Sequence, residues 1–151
     1  VVLVTEMASS LKVWVTLLAL LCLQCSLLLH SENISRKKFM EEHHLSPSQD
    51  FASYKCNNLM KKGNLSHKLS HMFIYISWYK IEHICISSKW NDRYRNTYIW
   101  AQRPIKTLTC HWEKLNNYRE TRSYSHIQFH CSMDGYVDNI EDVKLIKPLF
   151  N

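Results

Sequence analysis

The chain has 151 residues, a formal net charge of +6 and only two glycines. That length allows one sizeable domain rather than two, and so few glycines exclude a glycine-rich loop that cradles phosphate. The basic excess attracts polyanions such as RNA, anionic lipid or sialylated glycans, and serves solubility equally well.

Residues 1–6 precede the first methionine and read as an upstream extension. From Met7, Lys12 gives a short basic flank to an apolar run from Val13 to Leu29, interrupted only by Thr16, Gln24 and Ser26. A charge, an apolar core and then polar sequence make a secretory signal peptide, assigned to residues 7–31 with the cut between Cys25 and Asn33. The competing reading is a signal anchor, because the run approaches the roughly 17–25 residues that span a bilayer. Residues 32–151 then form the mature domain, with no anchor left after cleavage.

That domain keeps Cys56, Cys85, Cys110 and Cys131. An even number in an oxidising compartment predicts two disulfides, with three pairings open. The intervals are long and no Cys-x-x-Cys occurs among these four, so neither a zinc site nor any other metal or cofactor is expected. Asn33-Ile34-Ser35 and Asn64-Leu65-Ser66 are acceptor sequons for N-glycosylation, and Asn64 is the better placed, away from the mature terminus.

Ser35 is a plausible N-cap for a first helix that Ser46-Pro47 stops, with Phe39 and His43 four apart on one face. A second helix is predicted from Ser53 to Lys62, with Cys56, Leu59 and Met60 on one stripe and Gly63 as its C-terminal stop. Met72–Ile76 is rich in strand formers, and Trp78–Cys85 reads as a short third helix. Ile105–Trp112 alternates, as does the stretch in which Ile127, Phe129, Cys131 and Met133 face inward against His126, Gln128, His130 and Ser132. Helices early and antiparallel strands later predict an α+β fold. The five tryptophans and eight tyrosines are expected mostly in the core and on sheet faces. Lys37, Lys38, Lys55, Lys61, Lys62 and Lys68 load the first half with positive charge. Asp134, Asp138, Glu141 and Asp142 make the tail acidic.

His43 beside an apolar helix face is ordinarily a structural residue, and Lys68 is ordinary taken alone. Together they fall in a longer pattern. Lys38-Phe39-Met40-Glu41-Glu42-His43, Tyr54-Lys55-Cys56-Asn57, His67-Lys68-Leu69-Ser70-His71-Met72-Phe73 and Cys131-Ser132-Met133-Asp134-Gly135-Tyr136-Val137 resemble, in order, the motifs of the pancreatic-type ribonuclease (RNase A) superfamily. The resemblance spans the mature domain. It implies three helices in the N-terminal half packed on an antiparallel sheet, and the pairs Cys56–Cys110 and Cys85–Cys131. A further family bridge is missing, with His67 in place of one of its cysteines, and so is the small-loop bridge between Cys85 and Cys110.

The resemblance also implies a site. Its RNA cleavage uses a base for the ribose 2′-hydroxyl, an acid for the departing 5′-oxygen and a cation for the phosphoryl charge. His43 holds the position of the base and Lys68 that of the cation. The acid histidine's position holds Ile140, which cannot carry a proton, and Asp142 stands where the family orients that histidine. Met72 replaces the threonine that reads the pyrimidine, His71 the asparagine before it, and Glu42 puts a negative charge where the scissile phosphate would sit. No enzymatic turnover is expected, and His43 and Lys68 are read as vestigial. No other histidine stands in: His126 and His130, four apart on a strand, are separated by about 13 Å, while His111 and His130 adjoin cysteines and are read as structural or exposed.

Longer strings, among them Ser70–Cys85, Cys110–Lys114 and Phe129–Asp142, resemble a narrower branch of the lineage, the epididymal secretory proteins of the E-three alpha/beta type. That branch implies a secreted, non-catalytic monomer acting in sperm maturation. Its expected partners are the sperm surface, sialylated glycans or a luminal protein, and no specific nucleic acid. The basic first half would dock and the acidic tail would face away. The competing readings are a weak ribonuclease using His43 and Lys68 with water as the acid, and a cationic host-defence protein.

Overall fold

Neither glycine nor proline occurs before Pro47, so nothing in the first third of the chain breaks a helix. In the computed structural model, which describes residues 2–89 and 92–150, helix α1 runs Val2–His43. It passes through Ser35 unbroken, so the predicted N-cap there is not a helix start. Ser9–Leu27 within it is long and apolar enough to cross a membrane, the property a signal peptide shares. The chain divides into two units, Val1–Ser35 and Arg36–Asn151. The rest of the fold belongs to the second.

After α1 come strand β1, His44–Leu45, a 3-10 turn at Phe51–Ser53, helix α2, Cys56–Lys62, strand β2, Ser70–Tyr75, and helix α3, Trp78–Ile84. Four strands follow: β3, Thr97–Trp100; β4, Ile105–Trp112; β5, Tyr118–Cys131; and β6, Val137–Pro148. They form one sheet in the order β1-β2-β4-β5-β3, with β6 also pairing β5. Every pairing is antiparallel except that of β1 with β2.

Helix α2 starts at Cys56 rather than Ser53, for an identifiable reason. The buried Arg122 guanidinium donates to the Phe51 carbonyl at 2.7 Å and to the Tyr54 carbonyl at 2.5 Å. The Phe51 carbonyl also accepts from the Tyr54 N–H at 3.3 Å, closing the 3-10 turn, and Tyr54 and Lys55 are extended, so the chain held by Arg122 re-enters helix only at Cys56. At the other end the left-handed residue is Asn64 (φ 54), while Gly63 has φ −80. The Leu65 N–H reaches the Met60 carbonyl at 2.8 Å and the Asn64 N–H reaches Lys61 at 3.3 Å, a Schellman cap with asparagine in the position glycine usually takes. Helix α3 is capped by the Ser77 side chain, which accepts from the Lys80 N–H.

The sheet buries apolar side chains on both faces. Ile74, Ile105, Ile127 and Phe129 gather with Phe39 of α1 and Ile81 of α3 around the Cys85–Cys131 disulfide. Phe73, Leu108, Met60 and Leu65 gather around the Cys56–Cys110 disulfide. The bonded pairs are those the resemblance implies. Burial on both faces explains why β4 does not alternate cleanly, with Thr107 and Leu108 buried side by side.

Two packing expectations are corrected. Met133 is 70% exposed, because β5 ends at Cys131 and the chain turns through Gly135 (φ 83) before β6. The tryptophans are not core residues either: Trp14, Trp78, Trp100 and Trp112 are all exposed, and Trp90 lies outside the described residues. Aliphatic side chains, Phe39, Phe73, Phe129 and the two disulfides fill the core instead.

Candidate functional site

The end of α1 is fixed by Phe39, which meets Phe129 edge-on at 6.4 Å and is almost fully buried. One turn later, on the same face, His43 comes to lie beside β2. Its Nδ1–H donates to the Met72 carbonyl at 2.8 Å. That bond fixes the tautomer with the proton on Nδ1 and leaves Nε2 as a proton acceptor.

His71, the residue before Met72, reciprocates. Its Nε2–H donates to the Glu42 carbonyl at 2.6 Å, and its ring stacks on that of His43 with centroids 4.6 Å apart. Helix and strand are therefore clasped in both directions by neighbouring imidazoles. Burial is the main cause holding both below the ordinary histidine range, His71 at about 4, with the Lys68 ammonium acting in the same direction. Hydrogen bonds to the carbonyls and the Glu42 carboxylate act in the opposite direction. Both rings are neutral at physiological pH.

Around His43 opens a cleft of about 460 Å³, lined by β2 (Ser70, His71, Met72), Thr109 of β4 and Ile140–Val143 of β6. Ile140 is paired with Phe129 and packs against the apolar cluster beneath it. The cleft thus holds two imidazoles, of which His43 keeps Nε2 as a proton acceptor, and at residue 140 a hydrocarbon side chain unable to give a proton. Asp142 also lines the cleft, and its Oδ1 accepts from the Val143 N–H, so it orients no imidazole.

The residues singled out from the sequence are not equally close. His43, His71, Met72, Ile140 and Asp142 share the cleft, whereas Lys68 precedes β2, half-buried, and reaches the imidazoles only through its charge. Glu42 contributes its carbonyl to the clasp, a role that its side-chain chemistry does not suggest. Thr109 belongs to none of the sequence motifs, and only the register that sets it opposite Met72 places it here. His130 donates from Nδ1 to Asp138 at 2.6 Å, and His111 meets the Ser70 hydroxyl at 3.2 Å, so both hold structural bonds. Among the described residues no group of three histidine, cysteine, aspartate or glutamate side chains is arranged to hold a metal. Asn64 is exposed and open to glycosylation, while the Asn33 side chain lies outside the described residues.

Comparison with known proteins agrees with this geometry. The family model of pancreatic ribonuclease matches residues 34–146. Human epididymal secretory protein E3-beta is 59% identical over 147 residues, covering 96% of this chain and all of the relative. Human epididymal secretory protein E3-alpha is 55% identical with the same coverage. Amphinase, a cytotoxic ribonuclease from Rana pipiens oocytes, shares the fold with a TM-score of 0.61 at 17% identity, over 74% of this chain and 99% of amphinase. Green turtle egg white ribonuclease does so with a TM-score of 0.57 at 19% identity, over 72% and 97%. The chain belongs to the pancreatic ribonuclease family.

Proposed function

We propose that this chain is a secreted, non-catalytic member of its family, acting by binding in the epididymal lumen and serving sperm maturation. The observation that carries the reading is that Ile140 lines the same cleft as His43. General-acid assistance contributes roughly 10²–10⁴ in rate, and a hydrocarbon supplies none of it. The clasp supports the same reading, since it spends His71 on the Glu42 carbonyl rather than on a base. Secretion is supported by the N-terminal apolar helix, the two disulfides and the secretory names of the relatives.

The binding partner is the sperm surface or another luminal protein, with sialylated glycans the chemical class that a basic first half attracts. Lys38, Lys61 and Lys62 are exposed there, whereas Lys37 and Lys55 are paired with Glu41 and Glu120. Recombinant mature protein is assayed on single-stranded RNA, with His43→Ala as the contamination control. The expected result is no turnover above that control; activity that vanishes in His43→Ala would overturn the non-catalytic reading. Binding to sperm is expected to weaken between about 50 and 300 mM salt as charges are screened.

A further inference from the structure

Four strands place Tyr75, Lys106, Tyr124 and Lys147 in one row across the sheet, each directly opposite the next. Lys106 Nζ lies 5.8 Å from the centre of the Tyr75 ring, 5.8 Å from that of Tyr124 and 6.0 Å from that of Phe51. Lys147 Nζ lies 5.4 Å from Tyr124 on its other side. Two residues further along β5 the pattern returns, with Lys144 opposite His126 and its ammonium 4.8 Å from the Trp100 ring. Tyr98 continues the strip against His130, with ring centroids 5.0 Å apart. Tyr98 is 52% exposed and Trp100 37%.

The strip is built of cations on aromatic rings rather than cations on carboxylates. Among the described residues Lys106, Lys144 and Lys147 make no ion pair. Of the nearby carboxylates, Asp138 is bonded to His130 and Asp142 accepts from the Val143 N–H, and among the described residues none forms an ion pair with these lysines. Aromatic faces hold each ammonium in place without neutralising it. Lys106 and Lys147 flank β5 at two strand spacings, roughly 10 Å, and Lys144 is displaced about 7 Å along the strand. A ligand with one carboxylate would engage one of these cations; a chain carrying anions at repeated intervals engages all three.

We infer that this strip is a binding surface for a sulfated glycosaminoglycan chain, whose sulfates meet Lys106, Lys144 and Lys147 while sugar rings lie on Trp100 and Tyr98. The inference rests on the proposed extracellular binding role, because outside the cell linear polyanions are glycans rather than RNA. It is separate from the cleft around His43 and from the lysines of the first half.

The test measures binding of a heparin dodecasaccharide to the full mature protein in about 150 mM salt, where the Debye length is about 8 Å. The triple variant Lys106→Gln, Lys144→Gln, Lys147→Gln is expected to bind about tenfold more weakly, as is Trp100→Leu with Tyr98→Leu to a smaller degree. Lys80→Gln, Lys89→Gln, Lys114→Gln, an equal loss of charge at exposed sites elsewhere, is expected to bind within about twofold of wild type. If Lys106→Gln prevents folding, the exposed pair Lys144→Gln, Lys147→Gln alone is expected to cost about fivefold. Equal loss in the control triple, or no loss in the strip variants, overturns the assignment. Tighter binding of a sialylated oligosaccharide, a single-stranded RNA dodecamer or anionic vesicles than of the dodecasaccharide also overturns it. Should Lys38→Gln, Lys61→Gln, Lys62→Gln abolish sperm binding while the strip variants leave it unchanged, the strip fails and the binding role stands. Should wild type bind neither sperm nor the dodecasaccharide, both fail.

Discussion

His43 and His71 stack 4.6 Å apart, and each donates to the backbone carbonyl beside the other, His43 to Met72 and His71 to Glu42. The clasp needs both rings uncharged, because stacked imidazolium ions repel and burial disfavours either charge. His43 is the family's base by position, yet here it is equally a fastener between α1 and β2.

Acid is therefore expected to loosen the fold. The unfolded chain takes up a proton at His71 near its ordinary 6.5, and the folded chain only near 4. The unfolded state then binds more protons between those values, so stability present above about pH 6.5 is lost as pH falls towards 4 and falls no further from this cause below it. At about 1.4 kcal/mol per pH unit, the loss from His71 between 6.5 and 4 is at most about 3.5 kcal/mol; the lowered His43 adds in the same direction. Urea unfolding at pH 7.5, 5.5 and 4 measures it. The slope is expected to shrink in His71→Asn, which cannot titrate, and an unchanged slope in that variant would assign the acid sensitivity elsewhere.

Asn64 serves two ends at once, as a sequon asparagine and as the left-handed residue of the α2 cap. The two roles separate by mutation. Ser66→Ala removes the sequon and is expected to abolish any glycan with under about 0.5 kcal/mol change in stability, since residue 66 is exposed. Asn64→Ala removes the glycan too, but places a side chain without local hydrogen bonding at φ 54 and is expected to cost about 1 kcal/mol. Mass spectrometry of the secreted protein and thermal unfolding of the deglycosylated forms distinguish them.

Which parts of this were legible in the chain depends on how local their causes are. Lys38–His43 and the run from Cys131 to Val137 are contiguous strings that carry the family resemblance, and that resemblance, rather than the spacing of the four cysteines, implied the fold, the bonded pairs and the substitution at Ile140. The start of α2 could not, because it is decided by Arg122, donating across 71 residues to Phe51 and 68 to Tyr54. Nor could the role of His71, whose partner is a carbonyl rather than a side chain. The lysine–aromatic strip is the extreme case: its members come from five strands, and only the register of β2, β3, β4, β5 and β6 aligns them. Composition showed many aromatics and lysines without showing that they meet.

The two disulfides offer a cleaner comparison than most. They span 54 and 46 residues, so loop-closure entropy separates them by only about 0.1 kcal/mol. Removing either by paired Cys→Ala substitution is expected to cost roughly 2–5 kcal/mol. Any larger difference between them reports the native packing instead. The Cys85–Cys131 pair lies in the cluster that carries Phe39 and underlies Ile140, so its loss is expected to disturb the cleft as well as stability. Chemical denaturation of both double variants, with His43 proton shifts as a local probe, tests this; identical His43 spectra in the two would remove the link between that bridge and the cleft.

Restoring the missing acid is the most direct challenge to the non-catalytic reading. In Ile140→His an imidazole enters a position that now packs on the apolar cluster, and part of its new ring is buried against Phe129 and its neighbours. Asp142 would have to leave the Val143 N–H to orient it. The Glu42 charge and the methionine at residue 72 remain, both unfavourable to an RNA substrate. Turnover of single-stranded RNA by Ile140→His is therefore expected to stay within about tenfold of the parent, well short of the roughly 10²–10⁴ that a placed general acid supplies. The informative variant combines Ile140→His with Glu42→Gln and Met72→Thr, which repairs proton transfer, local charge and base recognition together. Strong rescue by the single change would mean that the cleft still accepts RNA and that Ile140 alone silences it.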